Sequence, residues 1–153
     1  MYRCLIANRG EIAVRIIRAC RELNIETVAI YAKGDENSLH VSLADQAICI
    51  GEANPLDSYL NIDRIISAAK VTESNVIHPG YGFLSESTNF AKAVEDNHIH
   101  FIGPSKTTME MMGDKITARQ TVKQAGVPVI PGSNDAVQSV DEIKLLSKEI
   151  GFP

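Results

Sequence analysis

The 153 residues suffice for one domain with a sizeable core, and 44% hydrophobic with 22% charged residues, without any low-complexity run, exclude a disordered or fibrous chain. A formal charge of -4 excludes a non-specific grip on nucleic acid or anionic membrane, which needs clustered Lys and Arg to offset phosphate charge. No basic segment followed by an apolar one opens the chain, and no apolar run approaches the thickness of a bilayer; the expectation is a cytoplasmic protein whose partner is a small solute or another protein.

In chain order, RCLIAN (3 to 8) reads as a strand and residues 10 to 23 as a helix, with Ile12, Ala13, Ile16, Ile17, Cys20 and Leu23 on one apolar stripe. Strands follow at TVAIYA (27 to 32) and QAICIG (46 to 51), a helix near 58 to 70, a strand at NVIHPG (75 to 80), a helix near 87 to 97 and a strand at IHFIG (99 to 103). Helix returns near 105 to 125, interrupted around Gly113-Asp114; VPVIPG (127 to 132) reads as a strand; and a last helix spans 139 to 150, with Ser139 and Glu142 in the capping-box spacing and Gly151 as its stop. Continuously apolar strands alternating with amphipathic helices argue for an α/β fold, a doubly wound and mainly parallel sheet covered on both faces, over residues 1 to about 103. The tail leaves Ile143, Leu146 and Ile150 little to pack on, so the expectation is the N-terminal part of a longer protein.

Cys4, Cys20 and Cys49 each lie in an apolar segment, and an odd count without close spacing suits neither a disulfide framework nor a zinc site; buried, reduced thiols are expected. Strand passes to helix through ANRGEIA, where dinucleotide binding would need three glycines and finds only Gly10, and Asp35 in KGDENS reads as a turn residue. No phosphate-loop motif occurs, because Lys106 lacks the glycine before it, and Lys115 taken alone reads as a solvated lysine. His98 and His100, two apart on the fifth strand, share a face without a third ligand, and with His40 they read as surface or partly buried histidines. Glu11, Arg15, Arg18 and Glu22 project from one face of the first helix, a solvated stripe on periodicity alone.

IHPGYGFLSES (77 to 87) follows the carboxyl end of a strand, where ligands bind in an open parallel sheet. Gly80 and Gly82 free the backbone, and His78, Tyr81 and Glu86 offer polar chemistry; a Pro-Gly turn with Phe83 and Leu84 packing into the core explains the same residues, and both readings stay open on composition and spacing.

Taken together, ANRGEIAVRIIRACRELNIETVAIY, HVSLADQAICIG, SYLNIDRIISAA, IHPGYGFLSES, FIGPS, MGDK and AGVPVIPGS resemble, in order and spacing, the N-terminal part of the biotin carboxylase family, the component that serves acetyl-CoA carboxylase and opens pyruvate and propionyl-CoA carboxylases. The resemblance implies a domain over residues 1 to 113 that precedes an ATP-grasp module, and the beginning of that module over 114 to 153. It implies ATP with magnesium or manganese, bicarbonate, and biotin on a carrier protein; carboxyphosphate would form first and its breakdown deliver carbon dioxide to a biotin nitrogen. A biotin carboxyl carrier protein, a carboxyltransferase and a second copy of the chain would be the partners. Lys115 matches the family's ATP-contacting lysine, Tyr81 the tyrosine beside biotin, with His78, Gly80, Gly82 and Glu86 in its loop, and Arg15, Arg18 and Glu22 the subunit-contact face. The metal ligands, the bicarbonate-binding residues and the catalytic arginine would follow residue 153, so this chain alone is expected to be inactive.

Overall fold

The computed structural model describes residues 2–133 and 137–151. It divides into two compact units, Met1–Lys106 and Thr107–Pro153. The first holds β1 (Arg3–Ile6), α1 (Gly10–Glu22), β2 (Glu26–Ala32), α2 (Leu39–Leu43), β3 (Gln46–Gly51), α3 (Ile62–Val71), β4 (Val76–His78), α4 (Thr88–Asp96) and β5 (His100–Phe101). All five strands are parallel, in the order β3-β2-β1-β4-β5. The chain steps outward from β1 to β2 and β3, then returns across β1 to β4 and β5. Right-handed crossovers therefore put α1 and α2 on one face and α3 and α4 on the other, and the helices of each pair touch. The direction of winding reverses between β1 and β4, which makes the crevice at their carboxyl ends the natural ligand position of this topology.

The apolar stripe of α1 supplies much of one layer. Ala13, Ile16, Ile17 and Cys20 pack with Cys4, Ile6 and Val76 of the sheet. Each fully buried Ile there contributes roughly 1.5–3 kcal/mol of transfer free energy. On the other face Ile65, Ile66, Phe90, Ala91 and Val94 are buried, and the Phe90 and Phe101 rings meet edge to face at 5.9 Å. The helix starts follow ordinary capping chemistry: Asn61 accepts from the Arg64 N–H and Ser87 from the Phe90 N–H.

Several expectations need correction. The helix expected from residue 58 begins at Ile62, because Asn61 caps it and residues 55–57 form a 3₁₀ turn that ends by burying Tyr59. Helix α2 was not expected; its five residues carry no full periodic stripe. Strand β3 is a sheet edge, so its apolar run is largely uncovered and Cys49 is exposed rather than buried. His98 precedes β5 with φ 57 and shares no strand with His100. His40 is buried, its Nε2 3.2 Å from the Ile30 carbonyl oxygen.

The second unit contains α5 (Lys106–Gly113), which begins at the division, α6 (Lys115–Gln124) and α7 (Val140–Ile150). The helix expected over 105 to 125 breaks at Gly113-Asp114, as anticipated, and Asp114 caps α6 by accepting from the Thr117 N–H at 2.7 Å; that N–H holds its carboxyl below the usual aspartate range. Ser139 caps α7, the Glu142 carboxylate accepts from the Gln138 N–H, and Gly151 ends the helix at φ 88. Ile143 and Ile150 are exposed. Residues 127–132 are not a strand: Pro128 and Pro131 cannot donate to a ladder, and none of the described residues pairs with them.

His40 makes the fold pH-sensitive. Burial pushes its pKa below the ordinary value of 6.5, and its Nδ1 has no acceptor among the described residues, so a second N–H would be stranded in the core. With the folded pKa below the unfolded one, stability is complete above the unfolded value and is lost as pH falls through it toward the folded one. Denaturant titrations should show the midpoint falling as pH drops below about 6.5. In His40→Gln, which keeps a donor for the Ile30 carbonyl, the part of that dependence lying above the carboxylate range should shrink to what His78 contributes, whose pKa burial also lowers.

Candidate functional site

Two segments meet at the switch point: Ala7–Gly10 after β1 and the loop 79–87 after β4. They are joined by the side chain of Asn8, which is 1% exposed. Its Nδ2 donates to the carbonyl oxygens of both Pro79, at 2.9 Å, and Tyr81, at 3.0 Å, while its Oδ1 accepts from the Arg9 N–H. The two Nδ2 bonds bracket Gly80. A Cβ on that residue would lie 2.6 Å from Asn8 Nδ2 and 2.8 Å from Ile12 Cγ2, and its φ is +68°. Gly80 is thus required twice, by close approach and by backbone conformation.

His78 closes β4. Its Nδ1 accepts from the Gly80 N–H at 3.0 Å, which leaves the proton of the neutral ring on Nε2, and burial favours that neutral form. Tyr81 follows with its backbone held and its side chain 62% exposed. Gly82 also has φ +68°, and beyond it Leu84 turns into the core while Phe83 stacks on Tyr59 with ring centroids 5.3 Å apart. Glu86 is exposed, and Ser87 starts α4. Core-capping turn and presented loop therefore describe alternate residues of one segment.

Tyr81 lies where two grooves meet. One, of about 450 Å³ and mainly apolar, is lined by Ile12, Ile16, Leu23, His78 and Ile102. The other, of about 1030 Å³, runs along Glu11, Arg15, Arg18 and Glu22, the charged face foreseen on α1. All four of these side chains are exposed, and none of the ion pairs among the described residues joins them. The structure thus gathers His78, Gly80, Tyr81, Arg15, Arg18 and Glu22 around adjoining grooves, whereas Glu86 lines neither. Lys115 is the first residue of α6, exposed, beside the Asp114 cap, and belongs to the second unit. Among the described residues no three His, Cys, Asp or Glu side chains gather as metal ligands.

Residues 1–109 match the family described as "Biotin carboxylase, N-terminal domain". The chain belongs to the biotin carboxylase family. Biotin carboxylase 1 of Bacillus subtilis is 55% identical over 151 residues, which are 99% of this chain and 34% of that protein. A biotin carboxylase from Campylobacter jejuni, solved as a beta-gamma-ATP complex, superimposes with a TM-score of 0.92 at 48% identity, covering 99% of this chain and 34% of that one. The biotin carboxylase domain dimer of Hydrogenobacter thermophilus 2-oxoglutarate carboxylase, solved with MgADP, ADP and bicarbonate, gives 0.89 at 50% identity, with coverages of 99% and 33%. The chain thus spans about a third of the length of the biotin carboxylases it matches. No helix among the described residues is long and apolar enough to cross a membrane.

Four residues of the crevice were not singled out by sequence reasoning as site residues: Asn8, Arg9, Asp35 and Tyr59. Asn8 and Arg9 lie in the run weighed for dinucleotide binding by its glycines, Asp35 reads as a turn residue, and the partnership of Tyr59 with Phe83 spans residues far apart in the chain. The usable signal was polar residues placed directly after β1, at the strand end where winding reverses. Gly82→Ala, whose Cβ would meet nothing within 4 Å, should lower unfolding stability by about 1–3 kcal/mol, the scale of left-handed strain at a non-glycine residue, and Gly80→Ala, with the same φ and a Cβ 2.6 Å from Asn8 Nδ2, should cost more, both read from denaturant midpoints.

Proposed function

We propose that this chain is the N-terminal part of a biotin carboxylase, with residues 1–113 forming the domain that precedes an ATP-grasp module and residues 114–153 beginning that module. The observation that carries the reading is the loop 79–87, held by Asn8 at the switch point with the Tyr81 ring presented beside an apolar groove. Its chemistry fits a neutral, partly apolar ring system better than a phosphate, because the loop itself carries no Lys or Arg and the groove beside Tyr81 is mainly apolar, with Arg15 as the charged side chain in its lining. In this reading Tyr81 lies against biotin carried on a partner protein, and His78, Gly80, Gly82 and Glu86 complete its loop. Neutral His78 fixes the turn rather than supplying charge.

Lys115 is the residue of this chain that meets ATP. Its ammonium, free to extend from the first turn of α6, offsets phosphate charge as the γ-phosphoryl group passes to bicarbonate. A divalent cation, magnesium or manganese, would reduce the repulsion that opposes transfer; among the described residues no three His, Cys, Asp or Glu side chains gather to hold it. Arg15, Arg18 and Glu22 form the face of α1 that meets a second copy, in keeping with the dimer solved for the Hydrogenobacter relative. The acceptor we favour is acetyl-CoA, reached through a carboxyltransferase and leading to fatty acid synthesis in the cytoplasm. A 2-oxo acid acceptor, as in pyruvate carboxylase, is a second reading favoured by the 50% identity to the 2-oxoglutarate carboxylase domain.

In the full-length protein, Lys115→Ala should raise KM for ATP or lower kcat by about tenfold with the circular dichroism spectrum unchanged. An unaltered ATP dependence removes Lys115 from the site. Arg18→Glu should shift sedimentation from dimer toward monomer, and an undisturbed dimer would return the α1 face to solvent.

A further inference from the structure

The run ANRG cannot cradle a pyrophosphate for want of glycines, yet it occupies the position at the end of β1 where such a loop would stand. Its two polar residues turn instead toward the loop after β4. Asn8 spends both amide hydrogens on the carbonyls of residues 79 and 81, and its oxygen on the Arg9 N–H. Arg9 reaches the next stretch of the loop. Its guanidinium carbon lies 5.7 Å from the Phe83 ring centroid and 5.2 Å from that of Tyr59, and its Nη1 is 3.4 Å from Asp35 Oδ2. The Tyr59 hydroxyl donates to the same Asp35 oxygen at 2.6 Å and accepts from the Ala32 N–H, so the stack is tied to the end of β2. Burial and the Asp35 hydrogen bond raise the Tyr59 pKa, which keeps the hydroxyl a donor. Phe83 itself has φ 41, a conformation a bulky residue adopts only when its surroundings hold it there.

The loop is therefore fastened at residues 79, 81 and 83, on either side of both glycines, and the one large side chain left unfastened between those points is that of Tyr81. We infer that Asn8 and Arg9 are positioning residues for the ligand side of this loop: Asn8 sets the backbone from which Tyr81 projects, and Arg9, buttressed by Asp35 and Tyr59, prevents the following residues from swinging Tyr81 off its ligand. Neither side chain need touch a substrate. The inference rests on the reading of Tyr81 as a biotin contact and adds the residues through which β1 and β2 control it.

The test uses the full-length protein with free biotin as the varied substrate, measuring KM for biotin and for ATP and the melting temperature of each variant. Asn8→Ala should raise KM for biotin about tenfold, through the loss of two buried hydrogen bonds, and Arg9→Met about threefold, through the loss of a half-exposed cation–aromatic contact and ion pair. KM for ATP should stay at the wild-type value in both. A general loosening of the fold would instead raise both constants together, and that result overturns the inference. Should Asn8→Ala fail to fold, Arg9→Met, whose side chain is 46% exposed, decides alone. Tyr81→Ala separates the ligand contact from its positioning. If it raises KM for biotin while the folded Asn8 and Arg9 variants do not, the positioning role is wrong and the site stands; if it leaves KM for biotin unchanged, the site reading falls and the positioning role with it.

Discussion

The carboxyl edge of this sheet depends on a single amide side chain. Asn8 is buried, and a buried amide whose hydrogens lack acceptors costs on the order of 1–3 kcal/mol, so the loop after β4 must bring its carbonyls to Asn8 or the edge does not close. Bringing Pro79 and Tyr81 together around one nitrogen compels the intervening residue to adopt a left-handed conformation, and the space left beside Ile12 admits only hydrogen. The glycine follows from the asparagine rather than from a general need for flexibility. Topology supplies the remainder: β1 and β4 are neighbours whose crossovers diverge, and divergence leaves the crevice that the loop lines.

Rigidity and presentation are divided along the loop. Pro79 and Leu84 are buried, Phe83 is stacked, and His78 accepts from the Gly80 N–H, whereas the Tyr81 ring stands in solvent. Ligand recognition gains from such an arrangement, because an aromatic side chain with few rotatable bonds on a fixed backbone loses little entropy when a ligand arrives. The neighbouring charged face of α1 is held by a different means, its helix being pressed on the sheet by Ile16, Ile17 and Cys20, so the two surfaces have independent supports.

Local physics made the fold largely legible. Apolar runs separated by amphipathic periodicity identified all five strands of the sheet, and Ser139, Asp114 and Ser87 stand where their helices begin. The misreadings share a cause, which is that burial and pairing belong to neighbours distant in sequence. QAICIG has the composition of an inner strand but lies at an edge; VPVIPG has the composition of a strand but two prolines and no ladder partner among the described residues; His40 is buried and its ring meets the Ile30 carbonyl. The site was half legible. Two glycines around an aromatic residue after a strand mark a loop of unusual backbone, but Asn8 and Arg9 acquire meaning only from partners distant in sequence, Asp35 and Tyr59 for Arg9 and the loop more than seventy residues on for both.

That distance has a consequence for biosynthesis. Asn8 and Pro79 are 71 residues apart, so at ribosomal rates of 5–20 residues per second Asn8 waits roughly 4 to 14 s before its first acceptor has even been made. In that interval the asparagine has water in place of Pro79 and Tyr81, and β1 has an open flank where β4 will pair. The crevice is closed from one side only when β4 arrives. A nascent chain halted short of β4 therefore leaves the flank of β1 open and the Asn8 amide without the two carbonyls that later take its hydrogens.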